Sequence, residues 1–184
     1  MKVVKVVALW ILLLVMGVNN RLDAQRGGTL ETDKLSDALQ ECIEAVDYVI
    51  EEISGLSGLF LITYAAIKAN EEHNRDVIPV MDKIGDNLNS VLEDLNSYKE
   101  ELGDMQQSAS SGYVDISEVR SIIRRTSNKI DEIPNKIMEG VSTYDLNRLS
   151  EGGLFLFTQS LGVLRRKLQE AQSYLSLAKE KLKE

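Results

Sequence analysis

Apolar residues recur at alternating spacings of three and four positions along four stretches of the chain. An α-helix turns once every 3.6 residues, so positions with this spacing fall on one stripe of a helix. The pattern predicts an all-α protein with four long amphipathic helices. The stripes are Leu35, Leu39, Cys42, Val46, Val49, Ile53 and Leu56; Met81, Ile84, Leu88, Val91, Leu95, Tyr98, Leu102 and Met105; Ile116, Val119, Ile123, Thr126, Ile130, Ile133 and Ile137; and Phe157, Leu161, Leu164, Leu168, Ala171, Leu175, Ala178 and Leu182.

Further apolar residues make each stripe wider than the seam of a two-stranded coiled coil. They are Ile43, Ile50, Val80, Leu92, Ile122, Met138 and Leu177. A broad apolar face favours a compact bundle, because more than one neighbouring helix can pack on it. We therefore expect an antiparallel bundle of about four long helices joined by short loops. An extended coiled-coil dimer is the alternative.

Glycines mark the expected end of the first helix. That helix should begin near Thr32 and run to about Ser54, where Gly55-Leu56-Ser57-Gly58 interrupts the pattern. The next segment, Leu59–Ala69, is markedly apolar and has no charge before Lys68. It is expected to be either a helix buried on most sides or the apolar tip of a hairpin.

The boundaries of the middle helices follow from proline, capping and linker signals. Pro79 indicates a helix start or a kink just before it. Residues 108–113, rich in serine and glycine, are expected to link the two halves of the chain. Asp115 and Glu118 have the spacing of a capping box at the start of the third helix. Pro134 lies inside the third stripe, so we expect a kink or a break there.

The first 24 residues have the order of a secretory signal peptide. Two lysines precede the apolar run Val6–Val18, and Leu22-Asp23-Ala24 then offers a small residue for cleavage. The run is shorter than the roughly 20 residues that span a bilayer. Cleavage after Ala24 is the first choice, cleavage after Gly17 is the alternative, and an uncleaved anchor is the rival interpretation.

Removal of the signal peptide would leave residues 25–184 as a single helical domain. Residues 25–31 are expected to form a flexible leader, because Gly27-Gly28 lies at their centre. No second segment is expected to be long and apolar enough to span a membrane. The sequence therefore predicts a soluble, secreted, extracellular protein.

Charge is distributed unevenly between the two halves. Residues 25–107 carry 18 acidic and 6 basic residues, a net charge of −12, and residues 108–184 carry 10 acidic and 12 basic residues, a net charge of +2. The total of −10 argues against general binding to nucleic acid or to anionic membranes. We expect acidic faces of the first half to lie beside basic faces of the second. Self-association of opposite halves is the alternative.

Cys42 is the only cysteine, so no disulfide can form within the chain. It lies on the first apolar stripe, which predicts a buried and inert thiol. The alternative is an intermolecular disulfide across the seam of a homodimer.

A short internal repeat holds all three phenylalanines. The segment Gly58–Thr63 recurs 95 residues later as Gly153–Thr158, which suggests two diverged helical hairpins. If the two segments meet, they form an apolar tip that serves as core, as a site for an apolar ligand or as a membrane contact. The candidate residues of this tip are Leu59, Phe60, Phe155 and Phe157.

Two basic pairs provide a second candidate contact surface. Arg124 and Arg125 lie on the third helix, and Arg165 and Arg166 lie on the last helix. As a basic rim they would hold an acidic partner or an anionic polysaccharide. The alternative is that they pair with the acidic helix faces of the first half.

Residue patterns of catalysis and metal binding are absent from the sequence. His73 is the only histidine and lies in a polar, acidic stretch, and Cys42 lies on a buried stripe. No cofactor is expected. The sequence predicts a non-enzymatic protein that binds an extracellular macromolecule, most simply a protein. The alternatives are a carrier of lipid or another apolar ligand and a membrane-perturbing helical protein.

Overall fold

In a computed structural model, the chain forms α1 (Lys2–Lys68), α2 (Glu71–Asn74), α3 (Ile78–Ser110), α4 (Ile116–Ile137) and α5 (Phe155–Lys181). The structure describes the backbone of residues 2–145, 147 and 155–182, and the side chains of residues 31–72, 74–145, 147 and 159–182. No strand occurs within these ranges, which confirms the all-α prediction. The predicted signal peptide (1–24) and most of the leader fall outside the described side chains.

The long helix α1 runs antiparallel to α3. Near one end Gln106 Nε2 of α3 donates to Gln40 Oε1 of α1 at 2.9 Å. Near the other end Tyr64 Oη of α1 donates to the carboxylate of Asp82 of α3. Late residues of α3 thus meet early residues of α1, and the turn around α2 reverses the chain between them.

The helix α4 returns along α3 in the opposite direction. Asn87 Nδ2 of α3 donates at 3.0 Å to the backbone carbonyl of Ile137, the last residue of α4. Later in α3 and earlier in α4, the hydroxyls of Tyr98 and Thr126 lie 2.9 Å apart. The amide of Asn87 therefore satisfies one of the carbonyls that the end of α4 leaves without an intrahelical partner.

The last helix, α5, lies antiparallel to α1. Lys181 Nζ lies 2.7 Å from Glu41 Oε1, and Tyr48 Oη donates to Glu170 Oε2 at 2.5 Å. The inward residues of all four long helices meet in one apolar core. Leu39, Ile84, Ile130 and Leu175, one from each predicted stripe, are fully buried.

The predicted end of the first helix at Gly55-Leu56-Ser57-Gly58 is wrong, because α1 continues through it to Lys68. Each glycine costs about 1 kcal/mol of helix propensity relative to alanine. Ile53, Leu56 and Phe60 offset this cost by burying their side chains in the core on either side of the glycines. Tertiary packing therefore overrides the local signal.

The capping box that the sequence predicts for α4 is confirmed. Asp115 Oδ1 accepts from the backbone N–H of Glu118 at 3.0 Å, and Glu118 Oε2 accepts from the N–H of Asp115 at 3.1 Å. Of the kink or break predicted at Pro134, the break is wrong, because α4 continues to Ile137. Pro134 lacks one N–H, so the helix loses the single hydrogen bond that this group would donate to the carbonyl of Ile130.

Cross-helix ion pairs follow the charge asymmetry of the two halves. Basic residues of the second half pair with acidic residues of the first half, as the sequence predicts. The pairs are Arg125 with Glu101, Lys136 with Asp94, Lys167 with Glu52 and Lys181 with Glu41. Pairs at the surface add little stability, but they favour this arrangement of faces over others.

Candidate binding surface

One face of α1 points away from the core over most of its described length. Its positions recur at spacings of three, four or seven, and each of them is exposed. We call it the outer face of α1. It consists of Asp33, Asp37, Gln40, Glu44, Glu51, Gly55, Gly58, Ile62 and Ala65.

The first half of the outer face is acidic. Asp33, Asp37, Glu44 and Glu51 are all exposed, and none of them forms an ion pair with another described residue. Four carboxylates along one helix face therefore produce a negative potential, which the ammonium of Lys181 reduces near Asp37 and Glu44.

The second half of the outer face carries no charge. No Asp, Glu, Lys or Arg occurs from Ile53 to Ile67. Ile62 is 71% exposed, and its neighbour Leu61, beside the outer face, is 60% exposed. A single exposed aliphatic residue carries little information, but an adjacent pair on a charge-free helix surface indicates a contact site.

The hydropathy of this part of α1 is high. Within Glu31–Lys68 an 18-residue window has a mean hydropathy of 1.4, which is long and apolar enough to cross a membrane by length and composition alone. The expectation of no second segment of this kind is therefore wrong. Core helices of soluble proteins pass the same criterion when they are mostly buried, whereas only 22% of this window is buried.

Leu59 and Phe60, two of the predicted tip residues, point in different directions. Phe60 is 4% exposed and packs towards α3, where a Cβ at Gly85 would lie 3.0 Å from Phe60 Cε1. Its ring stacks on Tyr64 with the ring centres 5.9 Å apart. Leu59 is half-buried and faces α5. These two side chains therefore do not share one surface.

The other two predicted tip residues, Phe155 and Phe157, have side chains that lie outside the described residues. Sequence reasoning did not single out Leu61 and Ile62 within the apolar run. The signal that identifies them is their angle, because on a continuous helix Ile62 lies opposite the buried Ile53 and Phe60, and Leu61 lies about 100° from Phe60. Extending the first stripe through the glycines would have found them.

A cleft of about 390 Å³ lies between α1 and α5, beside the outer face. Leu56 and Leu59 of α1 and Val163 and Leu164 of α5 form its apolar walls. Two carboxylates, Glu51 and Glu52, line it as well. A cleft of this size is at the small end of ligand sites.

The four arginines of the predicted basic rim do not form one cluster. Arg125 pairs with Glu101 of α3, and its guanidinium lies 5.9 Å from the centre of the Tyr98 ring. Arg124, Arg165 and Arg166 are exposed. The contact between Ser127 and Gln172 sets the register of α4 against α5 and separates the two arginine pairs by about 15 Å along the helix axes.

Cys42 lies in a small polar cluster inside the core. Thr126 Oγ1 donates to the Ile122 carbonyl at 2.9 Å, and the Tyr98 hydroxyl lies 2.9 Å from Thr126 Oγ1. Burial raises the pKa of the Cys42 thiol to about 12, and a hydrogen bond with Thr126 opposes that rise. A disulfide between two chains would require the helices around Cys42 to separate, and it stays a prediction.

Within the described part of the chain, no group of three or more His, Cys, Asp or Glu side chains is arranged to hold a metal ion. The side chain of His73 lies outside the described residues. Comparisons with protein-family models, with curated proteins and with solved structures return no match. The outer face of α1 and the neighbouring cleft are therefore the features from which function is inferred.

Proposed function

We propose that this protein is a secreted, non-enzymatic helical bundle that binds an extracellular protein partner through the outer face of α1. The observation that carries the proposal is the exposure of Leu61 and Ile62 on a charge-free helix surface. Burying such residues against a partner removes apolar area from water at about 25 cal/mol per Å². The N-terminal sequence, with its basic and apolar regions, supports secretion.

The charge pattern of the outer face specifies the chemistry of the partner. An acidic half adjoins an apolar half along one helix, over about 48 Å from Asp33 to Ala65. The complementary surface is a helix that presents lysine or arginine along one part and aliphatic side chains along the next. Opposite potentials would steer the two surfaces together and fix their register.

A phospholipid surface fits the outer face less well than a protein does. The apolar half would enter a bilayer, but the unpaired carboxylates of the acidic half would be repelled by anionic headgroups. The cleft beside α1 favours a second role in binding an apolar ligand, which is the alternative function predicted from the sequence.

Selection from a random peptide library displayed on phage tests the proposal. Immobilised protein should enrich peptides that combine aliphatic residues at helical spacing with lysine or arginine. Ile62→Asp should weaken binding of the selected peptides by about tenfold or more, because it places a charge in the apolar half of the contact. Leu177→Asp is the matched control, because Leu177 is a similarly exposed residue on α5 and should leave binding unchanged.

Three results would contradict the proposal. Selected peptides could show no basic or aliphatic enrichment, or they could bind wild type and Ile62→Asp equally. Alternatively, the protein could bind vesicles of neutral phosphatidylcholine through Ile62 while enriching no peptide, which would assign the apolar half to a lipid surface.

A further inference from the structure

The cleft between α1 and α5 combines an apolar interior with an excess of negative charge. Leu56 and Leu164 are buried and form its floor, whereas Leu59 and Val163 form its upper walls. The two carboxylates of Glu51 and Glu52 lie at the end nearer the acidic half of α1.

The two carboxylates are not equally neutralised. Lys167 Nζ lies 3.9 Å from Glu52 Oε1, but the same ammonium donates to Glu170 Oε2 at 3.0 Å. Lys167 also lies 5.6 Å from the centre of the Tyr48 ring. The ammonium of Lys167 is therefore shared among Glu52, Glu170 and the Tyr48 ring. Glu51 makes no hydrogen bond or ion pair with another described residue, so one cleft carboxylate is left uncompensated.

From this arrangement we infer that the cleft binds a small amphiphile with a cationic amine head and an aliphatic tail. The ammonium group lies between Glu51 and Glu52, and the tail runs along α1 towards Leu59 and Val163. The distance along the helix axis from Glu51 to Leu59 is about 12 Å, which suits a tail of about eight carbons. An anionic amphiphile is repelled by the same carboxylates.

Gly55 lines the cleft, so the size of the side chain at this position determines how deep the cleft is. A Cβ added at Gly55 would meet no atom within 4 Å, so a side chain can begin there without a clash at its first carbon. A leucine at this position lies on a helix surface that already contains leucines, and leucine has a higher helix propensity than glycine. Gly55→Leu therefore fills the cleft without unfolding the protein.

Calorimetric titration with three ligands of equal tail length tests the inference. The probes are n-octylamine, n-octanol and octanoate, each below its aggregation threshold and at neutral pH, where the amine is protonated. Octylammonium should bind with one site per chain and at least about fivefold more tightly than octanol, because one partly exposed charge pair adds that much affinity. Octanoate should bind most weakly.

Variants of the cleft separate this site from adsorption elsewhere. Glu51→Gln should reduce the affinity for octylammonium about fivefold while leaving that for octanol unchanged. Glu100→Gln, an exposed carboxylate on α3, should change neither affinity. Gly55→Leu should abolish binding of all three ligands while the circular dichroism spectrum stays that of the wild type.

The inference is overturned if the three ligands bind equally, if more than one octylammonium binds per chain, or if Gly55→Leu binds octylammonium as the wild type does. The variant Ile62→Asp distinguishes this inference from the partner proposed for the outer face, because Glu51 and Gly55 belong to both surfaces whereas Ile62 does not line the cleft. Loss of peptide binding in Ile62→Asp with unchanged amine binding would show two separate sites.

Discussion

Phe60 and Ile62 are two positions apart, and the turn of the helix sends them in nearly opposite directions. Two residues correspond to about 200° around an α-helix. Phe60 is 4% exposed in the core, and Ile62 is 71% exposed on the outer face. Composition alone cannot distinguish them, because both belong to one charge-free apolar run. Only the phase of the helix, continued through Gly55 and Gly58, places one side chain in the core and the other on the outer face.

Truncation of these two side chains should therefore have very different effects on stability. Phe60→Ala should lower the free energy of unfolding by about 3–5 kcal/mol, because it leaves a cavity next to Gly85. Ile62→Ala should change it by less than about 0.5 kcal/mol, because its side chain is already in water. Urea unfolding followed by circular dichroism measures both. Equal losses would show that Ile62 is covered in the folded chain.

The buried hydroxyl pair of Tyr98 and Thr126 allows a second test at the scale of single residues. Thr126→Val should cost about 1–3 kcal/mol, because it leaves the Tyr98 hydroxyl with only the Ile122 carbonyl, 3.4 Å away. Tyr98→Phe should cost less, because Thr126 keeps its 2.9 Å bond to that carbonyl.

A double-mutant cycle on the same pair, followed by urea unfolding, gives the coupling between the two hydroxyls. The double variant should be less destabilised than the sum of the single variants, because no buried hydroxyl is left unpaired. Strictly additive losses would show that the two hydroxyls do not interact in the folded protein.

The rate at which Cys42 reacts with a thiol reagent should show whether the core opens around this residue. Burial raises the pKa of this thiol to about 12, and the thiolate is the form that reacts. A thiol-specific reagent should label the native protein very slowly at neutral pH and label the protein in urea rapidly. Rapid labelling of the native protein would show that α1 is not held in the core at this position.

At the scale of the helices, two carboxyl groups link stability to pH. Hydrogen bonds from Tyr48 and then Lys167 lower the pKa of Glu170, and bonds from the Ser117 hydroxyl and the Glu118 backbone lower that of Asp115. One contact holds α5 on α1, and the other caps α4. Both carboxyls favour the folded state at pH values above their ordinary pKa values of 4.5 and 3.8.

Their contribution to stability should be lost as the pH falls through the lowered pKa values of the folded state. The melting temperature, followed by circular dichroism, should therefore decline on acidification below about pH 4.5. Glu170→Gln and Asp115→Asn should each make this decline smaller. Glu100→Gln, which has no partner among the described residues, should leave it unchanged. An acid profile that neither of the first two variants alters would contradict these roles.

The bounds of the helices show which parts of the fold local sequence signals are sufficient to predict. The stripes of α3 and α4 and the capping box at Asp115 were readable, because apolar spacing and capping chemistry act within a few turns. Local signals do not predict the continuation of α1 through Gly55–Gly58, because it depends on the packing of Leu56 and Phe60 into a core that distant helices supply. Local signals do not predict the cleft at Leu59 either, since Val163 and Leu164 reach it from α5.

At the scale of the whole molecule, the charge distribution separates internal contacts from external ones. Bases of the second half neutralise several acids of α1 and α3 on the sides where helices meet. The acids of the outer face form no ion pair within the described residues, and only Asp37 and Glu44 interact at longer range with a base of the second half, Lys181. Pairing two copies through the full outer face would place acids against acids or against apolar residues. The surface therefore suits a basic and aliphatic partner better than a second copy.

The most direct test of this account is the fluorescence of a tryptophan placed at position 62. Trp10 is the only tryptophan of the chain, so Ile62→Trp in a Trp10→Phe background reports from one place. The free protein should show the red-shifted emission of an indole in water, and a selected basic, aliphatic peptide should shift that emission to the blue. Blue-shifted emission of the free monomer, or no shift when the peptide binds, would contradict the assignment of the outer face of α1 as the binding surface.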